Sequence, residues 1–124
     1  MNKLYILIIT SLFSLIFAIP DWNKIEEESI TLFQEYLQID TSNPPGDVTK
    51  AVSWLAKVFR KEGISFETFT VKEDPRRMHI LAELKGSNPT LKPLLLLNHI
   101  DVVPAKDEAW SVDPFKAEII DGII

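Results

Sequence analysis

The sequence predicts an α/β fold in which helices cover both faces of a layered sheet. Three features predict it: two amphipathic helical stretches, two following segments rich in β-forming residues, and an unbroken apolar run at Leu94–Asn98. A strand that is apolar on both faces is typical of the centre of a sheet covered by helices. We expect the domain to be incomplete at its carboxyl end, because the sequence stops soon after this central strand.

The first 18 residues have the pattern of a secretory signal peptide. Lys3 gives a positive start, residues 4–17 are almost all apolar, and Ala18 is a small residue suited to cleavage. The run is shorter than the about 18 to 20 apolar residues of a spanning helix. An uncleaved anchor and a buried helix are the alternatives. We therefore expect residues 1–18 to be removed, residues 19–124 to form the domain, and the protein to be secreted, with membrane anchoring as the second choice.

Composition excludes several classes of function. The 124 residues carry 13 Lys and Arg against 18 Asp and Glu, and removal of residues 1–18 takes away only Lys3. This acidic balance argues against a nucleic acid partner, and against a membrane partner unless the amino-terminal segment stays uncleaved. The chain has no cysteine, so disulfides, thiolate zinc sites and cysteine nucleophiles are excluded.

Two helices are predicted before the strands. Apolar residues recur at helical spacing from Trp22 to Leu37. Residues 38–46 end this helix, because their two prolines and their glycine permit neither helix nor central strand. Asp47 is a suitable cap for a second helix over Val48–Glu62, and Gly63 supplies its stop.

The rest of the chain predicts strands. Ile64–Val71 and Met78–Leu84 are rich in β-formers and are separated by a charged turn. Leu94–Asn98 is continuously apolar, as expected of a central strand. Phe115–Ile120 predicts one more strand, which the turn residues Asp121–Gly122 follow.

The candidate chemistry lies at His99 and Asp101, directly after the predicted central strand. Residues two apart in an extended chain point to the same side, so Asp101 can orient the imidazole through one nitrogen while the other binds a metal. A His-x-Asp pair alone is more often structural than functional. Its position at the carboxyl end of a central strand, where α/β sheets place their sites, favours a functional role.

Other residues with possible chemistry are assigned no role. His79 lies inside a predicted strand, without a carboxylate at matching spacing, and is interpreted as an ordinary strand residue. Trp54 and Phe59 are interpreted as core residues of the second helix. Trp110 and Phe115 can wall a cleft, but packing explains loop aromatics equally well.

Several motifs together resemble the zinc-dependent M20 metallopeptidases, and are most similar to their aminoacylase-1 and carboxypeptidase S branch. The resemblance spans about residues 25–124. It is carried by the segments Phe33–Pro44, Gly86–Leu91, Leu94–Ala105, Trp110, Asp113–Phe115 and Ile120–Gly122. This joint pattern is much more specific than a His-x-Asp pair.

The resemblance implies a layered zinc-hydrolase catalytic domain in which His99 is a metal ligand and Asp101 is the catalytic carboxylate that orients it. It implies two zinc ions in the complete enzyme and a substrate that is an N-acyl amino acid or a short peptide. It also implies a possible homodimer. The other metal ligands and the general base are expected beyond Ile124, so the chain alone is expected to be inactive.

The sequence leaves open two alternatives to this amide hydrolase. One is a truncated pseudo-enzyme derived from the same family. The other is a small exported binding module in which His99 and Asp101 are structural, since about 106 residues suffice for a closed core.

Overall fold

The computed structural model describes residues 19–105 and 110–124. The described residues divide into two units, which are separated between Phe33 and Gln34. The predicted signal segment, residues 1–18, lies outside the described residues. Within the described part, no helix has the length and apolar character needed to cross a membrane.

Helix α1 spans Trp22–Leu37, which confirms the predicted helix at both ends. None of its residues is buried, so the apolar stripe that predicts the helix does not form a core in the described part of the chain. In the second unit, the end of α1 is held by Gln34, whose side-chain amide donates to the carbonyl oxygen of Ala117 at 2.7 Å.

Helix α2 spans Thr49–Lys61. Val48, not Asp47, occupies its N-cap position, but the Asp47 carboxylate still accepts hydrogen bonds from the Thr49 backbone N–H at 3.0 Å and hydroxyl at 2.6 Å. Asp47 therefore caps the helix from the position before the N-cap residue, and its carboxylate satisfies one of the free N–H groups at the helix start.

The carboxyl end of α2 confirms the predicted glycine stop. Gly63 has a φ of +67°, its N–H donates to Arg60, and the N–H of Ile64 donates to the carbonyl oxygen of Phe59 at 2.8 Å. This pair of hydrogen bonds is the Schellman arrangement, which needs a left-handed residue and so favours glycine.

A two-stranded antiparallel hairpin follows, formed by β1 (Ser65–Val71) and β2 (Asp74–Glu83). Strand β2 begins four residues earlier than predicted, because the tight turn uses only two residues of the charged segment. The register pairs Thr70 with Met78 but Val71 with Asp74. The extra residues of β2 therefore form a bulge.

The core of the described residues is small. Helix α2 packs on both strands of the hairpin, and the buried apolar residues lie mainly on its inner face; they are Val48, Ala51, Val52, Ala56 and Ala117. Val52 is 1% exposed. The inner face of α2 is therefore buried, as an amphipathic helix predicts, whereas Trp54 and Phe59, interpreted from the sequence as core residues, are only half-buried.

The predicted central strand is wrong for the described residues. Residues 94–98 form no strand, and Leu94, Leu95, Leu96 and Leu97 are 83%, 69%, 84% and 89% exposed. A strand needs a hydrogen-bonded neighbour, and the described part of the chain places none beside this run. The expected helix/sheet/helix layering is thus absent from the described residues, whose architecture is mixed α/β with one hairpin.

The last predicted strand, Phe115–Ile120, is also absent, whereas its turn is confirmed. Asp121 and Gly122 both have positive φ, of 50° and 79°. Ile120 and Ile123 exchange two backbone hydrogen bonds of 2.9 and 3.0 Å. Positive φ at both central residues defines a tight hairpin turn of the type that Asp-Gly favours.

Candidate functional site

The backbone around His99 and Asp101 is held by the loop that follows α1. Ser42 and Val102 form an isolated parallel bridge. The N–H of Asn43 donates to the carbonyl oxygen of Val102 at 2.8 Å, and the buried Thr41 hydroxyl donates to Ile100 at 2.9 Å. Residues 100–102 are therefore fixed by backbone contacts even though no regular strand precedes them.

His99 is exposed and is oriented by Asp101. Its Nδ1 lies 2.7 Å from the backbone carbonyl oxygen of Asp101 and 3.4 Å from the carboxylate Oδ1. A carbonyl oxygen only accepts hydrogen bonds, so Nδ1 carries the proton and Nε2 of the neutral ring keeps its lone pair. The side chain is 84% exposed. Nε2 is therefore chemically suited to bind a metal, with Nδ1 held in the way that is common for metal-binding histidines.

The Asp101 carboxylate contacts His99 through Oδ1, and Asn43 and Arg77 through Oδ2. Its Oδ2 accepts a hydrogen bond from the side-chain amide of Asn43 at 2.9 Å, and Arg77 Nη1 lies 3.9 Å from the same oxygen. Donation from Asn43 is the main reason that the pKa of Asp101 lies below its usual value, with a smaller contribution from His99 and with desolvation acting against the shift. Asp101 is thus a carboxylate at neutral pH.

The donor set is incomplete for a metal ion within the described residues. Residues 19–105 and 110–124 contain no group of three or more His, Cys, Asp or Glu side chains that could hold one. Catalytic zinc takes about three protein ligands. The described residues therefore do not form a complete zinc site, and His99 fits zinc only as one ligand of a larger set.

The other residues considered in the sequence take the following places. His79 lies exposed in β2, opposite Phe69. The Trp54 indole N–H donates to Glu35 at 2.9 Å. Trp110 and Phe115 line a cavity of about 530 Å³ together with residues that include Asp40 and Ala105. Neither aromatic residue gains a catalytic role from this position.

Two residues at the site, Asn43 and Arg77, are not singled out by sequence reasoning. Asn43 is only a part of a proline-containing loop in the sequence, and Arg77 only a part of a charged turn. Their contacts with Asp101 join positions that are 58 and 24 residues apart. Local patterns of hydrophobicity and turn formation carry no signal for such a pairing.

Comparison with known proteins gives the same assignment as the motifs. The chain is 36% identical to the aminoacylase-1 of Dictyostelium discoideum over 96 residues, which are 77% of this chain. It is 39% identical to human aminoacylase-1 over 92 residues, or 74% of this chain. A shorter match, 52% identical over 44 residues and 36% of this chain, is to the N-fatty-acyl-amino acid synthase/hydrolase of Bos taurus. No family model matches.

These relatives are named as aminoacylases and as a synthase/hydrolase of N-fatty-acyl-amino acids, and the chain belongs to the M20 family. Within this family its similarity is to aminoacylase-1. The chain spans less than a quarter of the length of these relatives, 23% of the Dictyostelium protein and 22% of the human one.

Proposed function

We propose that the protein that carries this chain is a zinc-dependent hydrolase of the amide bond of N-acyl amino acids. His99 supplies one zinc ligand, and Asp101 orients its ring. We also propose export from the cytosol, which the signal-peptide pattern of residues 1–18 supports.

The observation that carries the proposal is the state of His99. One ring nitrogen is hydrogen-bonded to Asp101 and the other is free, in an exposed imidazole. The similarity to aminoacylase-1 covers 77% of this chain. Unlike His79, which is also exposed, His99 combines this exposure with a hydrogen bond that fixes one ring nitrogen and leaves the other accessible to a metal.

The proposed chemistry divides between the metal and this part of the chain. Bound zinc polarises the scissile carbonyl and lowers the pKa of its water. The residues described here hold the ligand: Asp101 fixes the proton on Nδ1, which leaves Nε2 as the only ring nitrogen with a lone pair.

The test uses the protein translated from the whole open reading frame that contains this sequence. Zinc content and release of the free amino acid from an N-acetyl amino acid are measured for wild type, His99→Ala and His79→Ala. We expect His99→Ala to lose bound zinc and to lower kcat/KM by more than about 100-fold, because even partners outside the ligand shell cost 10–100-fold.

His79→Ala is the matched control, since it removes an exposed imidazole elsewhere in the same unit and should leave both readouts unchanged. If His99→Ala keeps the zinc content and the rate of hydrolysis of wild type, the proposed role of His99 is excluded. A dipeptide assayed in parallel separates the two substrate classes: faster release from the dipeptide would assign the protein to the peptidases of the family.

A further inference from the structure

We propose that Asn43 is a positioning residue for the zinc ligand, acting through Asp101, and that Arg77 orients Asn43. The inference rests on the proposed function of His99. It gives a functional role to two residues that lie far from the His-x-Asp motif in sequence.

Asn43 makes the shortest contact to the Asp101 carboxylate among the described residues. Its amide nitrogen lies 2.9 Å from Oδ2, while His99 Nδ1 lies 3.4 Å from Oδ1 and 2.7 Å from the backbone carbonyl oxygen of Asp101. The two oxygens are therefore divided between two partners. By holding Oδ2, Asn43 restricts rotation of the carboxylate and keeps Oδ1 turned toward the imidazole, as a second contact beside the hydrogen bond that the Asp101 backbone carbonyl accepts.

Arg77 decides which end of the Asn43 amide faces Asp101. Its Nη2 donates to the amide oxygen of Asn43 at 3.3 Å. An amide can present either an acceptor or a donor, and a guanidinium can only donate. The side-chain oxygen of Asn43 is thus drawn to Arg77 and its NH2 group is left for Asp101.

Direct pairing of Arg77 with Asp101 is the weaker part of the arrangement. The 3.9 Å separation exceeds a hydrogen bond, and Arg77 is 39% exposed, so solvent screens the pair. Arg77 also lies 3.8 Å from Asp74. Its contribution to the site is therefore expected to run mainly through Asn43.

The backbone places Asn43 independently of its side chain. The parallel bridge between Ser42 and Val102, with the 2.8 Å hydrogen bond from Asn43 N–H to Val102, sets the loop beside the His99 segment. A substitution of the Asn43 side chain therefore leaves this backbone contact in place. This makes the side-chain role separable from the fold.

The experiment measures zinc affinity of the protein from the whole open reading frame by competition with a chromogenic chelator. Asn43→Asp keeps the shape but sets a carboxylate against the Asp101 carboxylate. We expect it to weaken zinc binding by about tenfold or more, the range for partners outside the ligand shell. Asn43→Ala and Arg77→Met should weaken it less. At saturating zinc, kcat should fall with KM unchanged, because Asn43 touches the ligand's support and not the substrate.

Arg76→Met is the matched control. Arg76 pairs with Asp74 at 2.8 Å and belongs to the same hairpin, so its loss should leave zinc affinity unchanged. Should Asn43→Asp fail to fold, as judged by circular dichroism, Asn43→Ala supplies the same comparison. Wild-type affinity in a folded Asn43 variant overturns the inference while leaving the role of His99 intact. Wild-type affinity in His99→Ala overturns both.

Discussion

Gly46 occupies a position where any other residue would have a strained backbone and a crowded Cβ. Its φ is +69°, and a Cβ there would lie 2.5 Å from Arg77 Nη1 and 3.0 Å from the side-chain Cγ of Asn43. Gly63 has a similar φ of +67° but open space around it. The two glycines thus separate the cost of a left-handed conformation from the cost of crowding at the site.

We expect Gly63→Ala to lower the free energy of unfolding by about 1–2 kcal/mol, the cost of a left-handed conformation for an L-residue. Gly46→Ala should cost more, because Arg77 must also move away, and should weaken zinc binding when Arg77 no longer holds Asn43. Urea denaturation and zinc affinity of both variants check this. Equal losses of stability, with zinc affinity intact in both, would show that Gly46 is not crowded.

Residues differ in how far the sequence predicts them. Gly63 is predictable, since a glycine after a helical stripe is a local signal of a helix stop. Gly46 is predictable as a turn residue but not as a neighbour of Arg77, because that contact joins two loops. Asn43 is missed for the same reason. His99 and Asp101 are found because they lie only two residues apart in sequence, and their roles stay predictions.

At the scale of elements, helices and the hairpin are predictable because each is determined by its own sequence. Helix α1 has the predicted bounds, and α2 and the hairpin differ only at their ends. The conformation of Leu94–Leu97 is not predictable in this way, because an apolar run forms a strand only where a neighbouring strand pairs with it. The described residues leave it exposed.

The start of α2 makes a pH-dependent contribution to stability. The pKa of Asp47 lies below its usual value, chiefly because the Thr49 hydroxyl and backbone N–H donate to its carboxylate. A lowered folded pKa means that the stabilisation is complete above the ordinary aspartate pKa and is lost as the pH falls through the folded value. Asp47→Asn should therefore be less stable than wild type at neutral pH, and the difference should close in acid.

Urea denaturation of wild type and Asp47→Asn, across a series from neutral to acidic pH, measures this difference. Glu83→Gln removes one negative charge from an exposed site at the end of β2 and controls for net charge. A gap between wild type and Asp47→Asn that is constant with pH would show that the carboxylate does not stabilise the helix start.

For the whole molecule, the sequence identifies the family better than it predicts the architecture. The motifs around His99 predict the M20 family, and the similarity to aminoacylase-1 confirms it. The layered domain cannot be predicted from these local motifs, because a sheet is completed by contacts among segments that are distant in sequence. The described residues contain no group of His, Cys, Asp and Glu side chains that could hold a metal ion, so the role of His99 as a ligand stays a prediction.

The most direct test of the central claim is a crystal structure of the protein from the whole open reading frame, grown with zinc, with anomalous diffraction recorded at the zinc edge. We predict a zinc peak about 2.0–2.1 Å from Nε2 of His99, with Nδ1 still bound to Asp101 and Asn43 still donating to its carboxylate. Zinc bound elsewhere with Nε2 of His99 unliganded would contradict the account.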